Sequence, residues 1–313
     1  MTNLTIIIPF LNEGNEVENT VVSVRETATT NPTILLINDD SDDGYDYESI
    51  AERYNCRYIK NEKREGSAPS KDKGVALSET PYFVLLDGHM RLYEKGWDER
   101  IERLITENPR SLLCGQSKRL TRDEDGNVVD EEKASVSYGA YINMEYGGPM
   151  DMKWNYKDIS PHSDLAEIPC VLGAAYACRK EYWQYLQGYK GLMCYGLEEQ
   201  LISIKVWMEG GQCLLVKDWV AGHLYRKAFP YEAPAMEMLY NRLFLLELLF
   251  PYPIKNDFFA SYKSILSTEF DKVYALLKSN FKEIKTIKNS LNSIFKNPIE
   301  YFLEKNEKLK SFN

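Results

Sequence analysis

Hydrophobic positions in the first third of the chain come in short runs set between segments of a different period. Residues 4–9, 33–37 and 82–86 are almost wholly apolar, and 57–60 takes the same place in the series. Between them, 12–27 carries Val17, Val21 and Val24 on one helix face, 47–54 reads as a short helix and 70–78 as another. Apolar strands joined by helical segments predict a parallel sheet covered on both faces. Ligands of such a sheet sit at the carboxyl ends of its strands. Asp39-Asp40 and Asp87-Gly88-His89 lie at two of those ends.

Past residue 112 the pattern loosens. Residues 112–117 predict a strand, and the polar, glycine-containing stretch 121–160 predicts a long loop, a kind usually tied to function. Residues 170–178 predict a buried strand. Residues 196–209 predict a helix with Leu201, Ile204, Trp207 and Met208 on its apolar face, stopped by Gly210-Gly211. Residues 212–216 predict one more strand. Beyond Pro234 the chain turns helical, strongly apolar over 236–250 and Lys-rich and amphipathic over 257–313. The expected organisation is an α/β domain over 1–232 and a C-terminal helical extension over 233–313.

Composition narrows the class. With 44% hydrophobic and 27% charged residues among 313, the chain has enough apolar content for a sizeable core. A net charge of −9 argues against a protein that coats nucleic acid without specificity, which needs a basic footprint. No stretch approaches the ~20 apolar residues that cross a bilayer, so a cytoplasmic protein without a transmembrane segment is expected. Six cysteines without a CxxC pair predict free thiols rather than disulfides or a zinc site.

Candidate chemistry gathers at the strand ends. In extended chain, Asp87 and His89 project to the same side, so a carboxylate and an imidazole can meet one ion. That donor set suits Mn²⁺ or another borderline divalent cation better than Ca²⁺. Equally, the two residues fit a capped helix and a capped turn, because D-x-H is a short pattern. The acidic turn 38–44 reads either as a solvated turn or as carboxylates that recognise base and ribose. Glu198-Glu199 suit a helix N-terminus, or an acceptor-binding carboxylate and a general base. His223 and Arg226 lie three residues apart. In a helix or turn they share a face, one for a metal and one for a phosphate, while a buried histidine in a polar network is the plainer reading.

Taken in order, these pieces resemble the catalytic domain of the polypeptide N-acetylgalactosaminyltransferases and their family 2 glycosyltransferase relatives. Ile6-Ile7-Ile8-Pro9-Phe10-Leu11-Asn12-Glu13 is similar to their opening strand, and Leu35-Leu36-Ile37-Asn38-Asp39-Asp40-Ser41-Asp42 to their nucleoside-binding turn. Arg64-Glu65-Gly66 with Lys71, Gly74 and Val75 resembles R-x-G…A-R-x-x-G-A. Leu85-Leu86-Asp87-Gly88-His89 resembles their metal-binding D-S-H, and Val171-Leu172-Gly173-Ala174-Ala175-Tyr176 the strand under the donor sugar. Tyr195-Gly196-Leu197-Glu198-Glu199 resembles W-G-G-E-N, and Gly222-His223-Leu224-Tyr225-Arg226-Lys227 resembles G-H-x-F-R-K.

The resemblance covers 4–228. It implies an α/β GT-A fold, Rossmann-like with a mostly parallel central sheet and helices on both faces. It also implies a UDP-sugar donor, Mn²⁺ or another divalent cation, and retention of anomeric configuration. By residue, it implies Asp87, His89 and His223 as metal ligands. Pro9, Asn12, Asp39, Asp40, Arg64 and Lys71 fall on the nucleotide-sugar side, Gly173 and Ala174 beneath the sugar, Arg226 on the diphosphate, and Glu198 and Tyr195 at donor or acceptor. Tyr195, Leu197 and Ala174 depart from the family's Trp, Gly and Gly, and the resemblance assigns no counterpart to the helical tail.

Other readings stand beside this one. An inverting enzyme would use Glu198 or Glu199 as base, a nucleotidyltransferase would release pyrophosphate, and a non-catalytic protein would only bind. The acceptor hydroxyl fits a peptide, a glycan or a modified nucleobase. The apolar stripe 236–250 either packs on the core or forms a homo-oligomer or membrane-surface contact. The Lys-rich stretch 282–310 is diluted by Glu283, Glu300, Glu304 and Glu307 and reads as a solvated face.

Overall fold

The computed structural model describes residues 2–131, 135–225 and 234–312. Its first part alternates strand and helix: β1 (Leu4–Phe10), α1 (Glu16–Thr27), β2 (Thr33–Asn38), α2 (Tyr47–Arg53), β3 (Arg57–Lys60), α3 (Ser67–Leu77) and β4 (Tyr82–Leu86). Then follow β5 (Met90–Leu92), α4 (Trp97–Glu107), β6 (Ser111–Arg122), β7 (Val128–Asp130), β8 (Ala140–Ile142), β9 (Met152–Trp154), β10 (Leu165–Glu167) and β11 (Ala175–Arg179). The remainder is α5 (Lys180–Tyr185), α6 (Glu198–Glu209), β12 (Gln212–Leu224), α7 (Ala235–Leu249), α8 (Tyr252–Ser279), α9 (Phe281–Asn292) and α10 (Ile299–Lys310).

The main sheet runs β10-β12-β6-β11-β4-β1-β2-β3, with β5 added to β12 and β7 to β6. β3, β2, β1 and β4 are mutually parallel; β11 runs antiparallel between β4 and β6, and β6 and β12 are again parallel. Both faces of the parallel part are buried. Leu4, Ile6, Ile8 and Phe10 of β1 join Val17, Val21, Ile50, Trp97 and Ile101 of α1, α2 and α4 on one side. Ile7 faces the other side with Leu35, Ile37, Phe83 and Leu85, under α3, α5, α6 and α7. Two-sided burial is why these strands read as unbroken apolar runs. Helix α6 is buried along its whole length, as a helix between sheet and outer helices must be.

Several expectations change. The stretch 121–160 is not a plain loop: it carries the end of β6, then β7, β8 and β9, the last two paired as a small hairpin. Residues 170–178 do not form one strand, because Ala174 turns at φ +84° and β11 begins only at Ala175. The strand expected over 212–216 continues through a bulge to Leu224, so His223 sits in extended chain rather than a helix or turn. The apolar stripe of α7 is consumed inside the chain: Leu239, Tyr240, Leu243, Phe244 and Leu248 belong to the core shared with α6. The stripe thus packs on the core, the first of the two readings, with Met236 at its end left exposed. All six cysteines are unpaired thiols. No helix among the described residues is long and apolar enough to cross a membrane.

Candidate active site

Strand register brings two distant histidines together. β4 ends at Leu86, and Asp87-Gly88-His89 leads directly into β5, which pairs antiparallel with the end of β12 so that Met90 stands opposite His223. His89 Nε2 lies 3.0 Å from His223 Nε2, across 134 residues of sequence. Asp87 Oδ2 lies 3.5 Å from His223 Nε2, and one ligand atom from each of the three residues falls within 4.8 Å of the others. Glu13, just past β1, faces His89 Nδ1 at 3.1 Å. A carboxylate there can only accept, so Nδ1 carries the hydrogen and the neutral ring turns a lone pair on Nε2 toward Asp87 and His223. Gly88 permits this approach, since a Cβ at that position would sit 3.0 Å from Phe10 Cβ and 3.2 Å from Glu13 Cγ.

The electrostatics agree. Burial pushes the pKa values of His89 and His223 down and favours neutral, lone-pair-bearing rings. Burial alone would raise Asp87, yet the hydrogen bond from His223 Nε2–H, a hydrogen that a bound cation would displace, and the Lys71 charge hold it well below the usual carboxylate range. An ionised carboxylate and two neutral imidazoles converging from two strands fit a borderline divalent cation. The cluster therefore has the chemistry that such an ion requires, and Glu13 supplies the outer carboxylate that orients the first histidine.

The opposite wall comes from the turn before β11 and from α6. The Asp87 N–H donates to the Ala174 carbonyl at 3.1 Å and ties the two walls together. A Cβ on Gly173 would approach the Glu199 carboxyl carbon to 3.4 Å, so this turn lies directly against α6. Glu199 Oε1 pairs with Lys71 Nζ at 3.3 Å, both side chains being almost fully buried. Burial is the largest influence on Lys71 and works against its charge, but Tyr176, Glu199, Asp87 and Glu198 outweigh it and raise its pKa. Glu198 Oε2 accepts the Gly196 N–H at 2.6 Å, while its buried Oε1 has no partner among the described residues. Burial, reinforced by the charge of Glu199 and opposed by Lys71, raises the Glu198 pKa to about 7. Burial likewise raises the Tyr195 hydroxyl.

Toward β2, Pro9 is buried in β1 opposite Ile37. Asn12 exchanges hydrogen bonds with Asp42, 2.8 and 2.9 Å, and closes the acidic turn. Asp39 is buried and accepts from the Glu65 and Gly66 N–H groups, each at 2.8 Å, and from Asn61 and Ser70. Its carboxylate is thus filled by the loop that carries exposed Arg64. Asp40 turns out to the surface at φ +63°, near Lys60. Arg226 lies outside the described residues. Glu13 carried no signal of its own in the sequence, because its partner is 76 residues away. Tyr225, which packs edge-on against His223 with centroids 4.3 Å apart, was equally unmarked.

Against known proteins, the sequence profile of Glycosyl transferase family 2 matches residues 5–162, half of the chain. The chain belongs to glycosyl transferase family 2. Within the family, it is 26% identical to polypeptide N-acetylgalactosaminyltransferase 11 of Xenopus tropicalis over 292 residues, covering 86% of this chain and 46% of that protein. It is 29% identical to the human polypeptide N-acetylgalactosaminyltransferase 10 over 245 residues, 75% of this chain and 40% of that one. The chain spans less than half the length of these relatives. A crystal structure of GalNAc-T7 with UDP, GalNAc and Mn²⁺ superposes with a TM-score of 0.77 at 20% identity, covering 97% of this chain and 57% of the other. The Staphylococcus aureus TarS 1–349 complex with UDP-GlcNAc superposes at 0.53 and 13% identity, covering 100% and 93%. These likenesses show that the family's GT-A fold is present.

Proposed function

We propose that this chain transfers a sugar from a UDP-sugar to an acceptor hydroxyl in a divalent-cation-dependent reaction, with Mn²⁺ as the ion and with retention of configuration. The observation that carries the reading is the meeting of Asp87, His89 and His223, ionised and neutral in the combination a cation needs. The similar GalNAc-T7 structure contains UDP and Mn²⁺, which supports the same choice here. The unit responsible is residues 1–232, with 233–313 as a helical extension. When bound, the ion supplies positive charge that stabilises the departing diphosphate.

The chain's own groups do the rest. Asn12, Asp40 and Arg64 flank the nucleoside side, with Asp39 holding the Arg64 loop and Pro9 the strand beneath. Gly173 and Ala174 form the floor under the sugar, and Lys71, paired with Glu199, places a fixed positive charge behind that floor. Tyr195 and Glu198 face the sugar and the acceptor, and the role of diphosphate ligand falls to Arg226 by the family resemblance alone. The buried walls exclude water, which would otherwise compete with the acceptor.

A second reading is favoured by one feature. Glu198, whose buried Oε1 has no partner among the described residues and whose pKa burial raises to about 7, is suited to take a proton from an acceptor hydroxyl, as an inverting enzyme requires. Screening UDP-sugars for Mn²⁺-dependent release of UDP tests the main proposal: activity lost on chelation and in Asp87→Ala is expected. A UDP-sugar turned over equally well by Asp87→Ala would overturn it. NMR of the product's anomeric configuration separates retention from inversion.

A further inference from the structure

Helix α7 carries Met238, Asn241 and Phe244 on one stripe at three-residue spacing, and that stripe lies along residues 191–196. A Cβ on Gly191 would come within 2.3 Å of the Phe244 ring, and one on Gly196 within 3.4 Å of Met238. Between these two contacts, Asn241 is completely buried. Its Oδ1 accepts the Met193 N–H at 2.8 Å, and its Nδ2 reaches the carbonyls of Met193, Gly196 and Tyr195 at 2.7, 2.9 and 3.2 Å. The carbonyl of Cys194 accepts instead from the Ala68 N–H at 3.0 Å. Every carbonyl from 193 to 196 thus has a donor within reach, three of the four sharing the two hydrogens of a single side-chain amide.

That segment is not regular structure, and its backbone is unfavourable in isolation. Cys194, Gly196 and Leu197 have φ of +48°, +101° and +71°. Such conformations persist only where the surroundings over-determine them. The segment also ends in chemistry: Tyr195 belongs to it, and the Gly196 N–H holds Glu198 Oε2 at 2.6 Å.

We propose that Asn241 is a positioning residue for the transfer reaction. By gathering the backbone of 193–196 it fixes the Tyr195 ring and the Gly196 N–H, and so holds Glu198 in the rotamer that leaves Oε1 available. The C-terminal helices thereby complete the site rather than merely cover the core. The catalytic consequence rests on the role given to Glu198 and Tyr195 above; the bracing of 193–196 does not.

Asn306 of α10 provides the control. It too is buried, and it makes a matching pair of bonds, to the N–H and carbonyl of Ile142 at 2.7 and 2.9 Å, in β8 rather than at 193–196. Asn241→Ala and Asn306→Ala should be compared for melting temperature, amide hydrogen exchange and UDP-sugar turnover. In Asn241→Ala, exchange should accelerate over 193–196, and kcat should fall about 10- to 100-fold with KM for the UDP-sugar nearly unchanged. Asn306→Ala, with a similar loss of melting temperature, should keep kcat within about twofold. Should Asn241→Ala not fold, Asn241→Ser, which retains one donor, takes its place with the same expectations in weaker form. Unaltered exchange over 193–196, or equal loss of kcat in the Asn241 and Asn306 variants, overturns the proposal. A wild-type chain that turns over no UDP-sugar overturns the assigned chemistry, while the exchange data still decide whether Asn241 braces the segment.

Discussion

The two walls of the candidate site are built by different means. On the β4–β12 wall, sheet register brings the groups together: the short 87–89 turn is held between β4 and β5, β5 pairs with β12, and His223 arrives opposite Met90 beside His89. On the β11–α6 wall, Glu198, Glu199 and Tyr195 are placed by left-handed turns at Ala174, Cys194 and Leu197, by a buried Lys71–Glu199 pair and by Asn241. A ladder of backbone hydrogen bonds is insensitive to most side-chain changes, whereas strained turns depend on each of their braces. The first wall is therefore a rigid donor set, and the second is the part of the site that distant packing can tune.

Breaking the first wall should cost most. Asp87→Asn removes the one anionic ligand and should lower UDP-sugar turnover about 10³-fold or more, measured as UDP release. Retained turnover would mean that the register-built wall is not where charge is stabilised.

On the second wall, Glu198→Gln should lower the rate about 10²-fold, the low end of a lost acid–base contribution. Its pH profile carries the sharper information. A carboxyl group acts as a base only when ionised. Since burial and Glu199 raise its pKa to about 7, the wild-type rate should climb through that pH and level off above it. The limb should vanish in Glu198→Gln, and a limb that survives unchanged belongs to another group.

Glu13→Gln probes whether the first wall needs its outer shell. The amide keeps the shape but loses the charge that orients His89, so Mn²⁺ affinity in the presence of UDP should weaken about tenfold, read by titration calorimetry. The smallest effect is expected at Ala174→Gly. Relief of the φ +84° strain is worth about 1 kcal/mol and is nearly offset by the greater unfolded-chain entropy of glycine. Urea unfolding should show a change within about 1 kcal/mol. A much larger loss would show that the Ala174 methyl is itself a packing element of the floor.

What the sequence revealed follows the same division. β1, β2 and β4 were legible because burial on both faces leaves uninterrupted apolar runs, and the Asp87-x-His89 pair because its spacing is local, although Gly88 and His89 form a turn between β4 and β5 rather than extended chain. Helix α4 is not among the expected elements although Trp97, Ile101, Leu104 and Ile105 stand at helical spacing. The hairpin β8–β9 has three-residue strands, too short to show a period. The break at Ala174 was hidden because nothing in an alanine announces a positive φ. Glu13 and Asn241 act on partners 76 and 45 to 48 residues away, contacts that no local pattern encodes.

The central claim is that one cation is shared by two stretches of chain, at 87–89 and at 223. Anomalous diffraction at the manganese edge from crystals soaked with UDP and Mn²⁺ tests it directly. The account predicts a peak among the side chains of Asp87, His89 and His223, next to the nucleotide's phosphates. Bound UDP with no peak there, or a peak held by other residues, would contradict it.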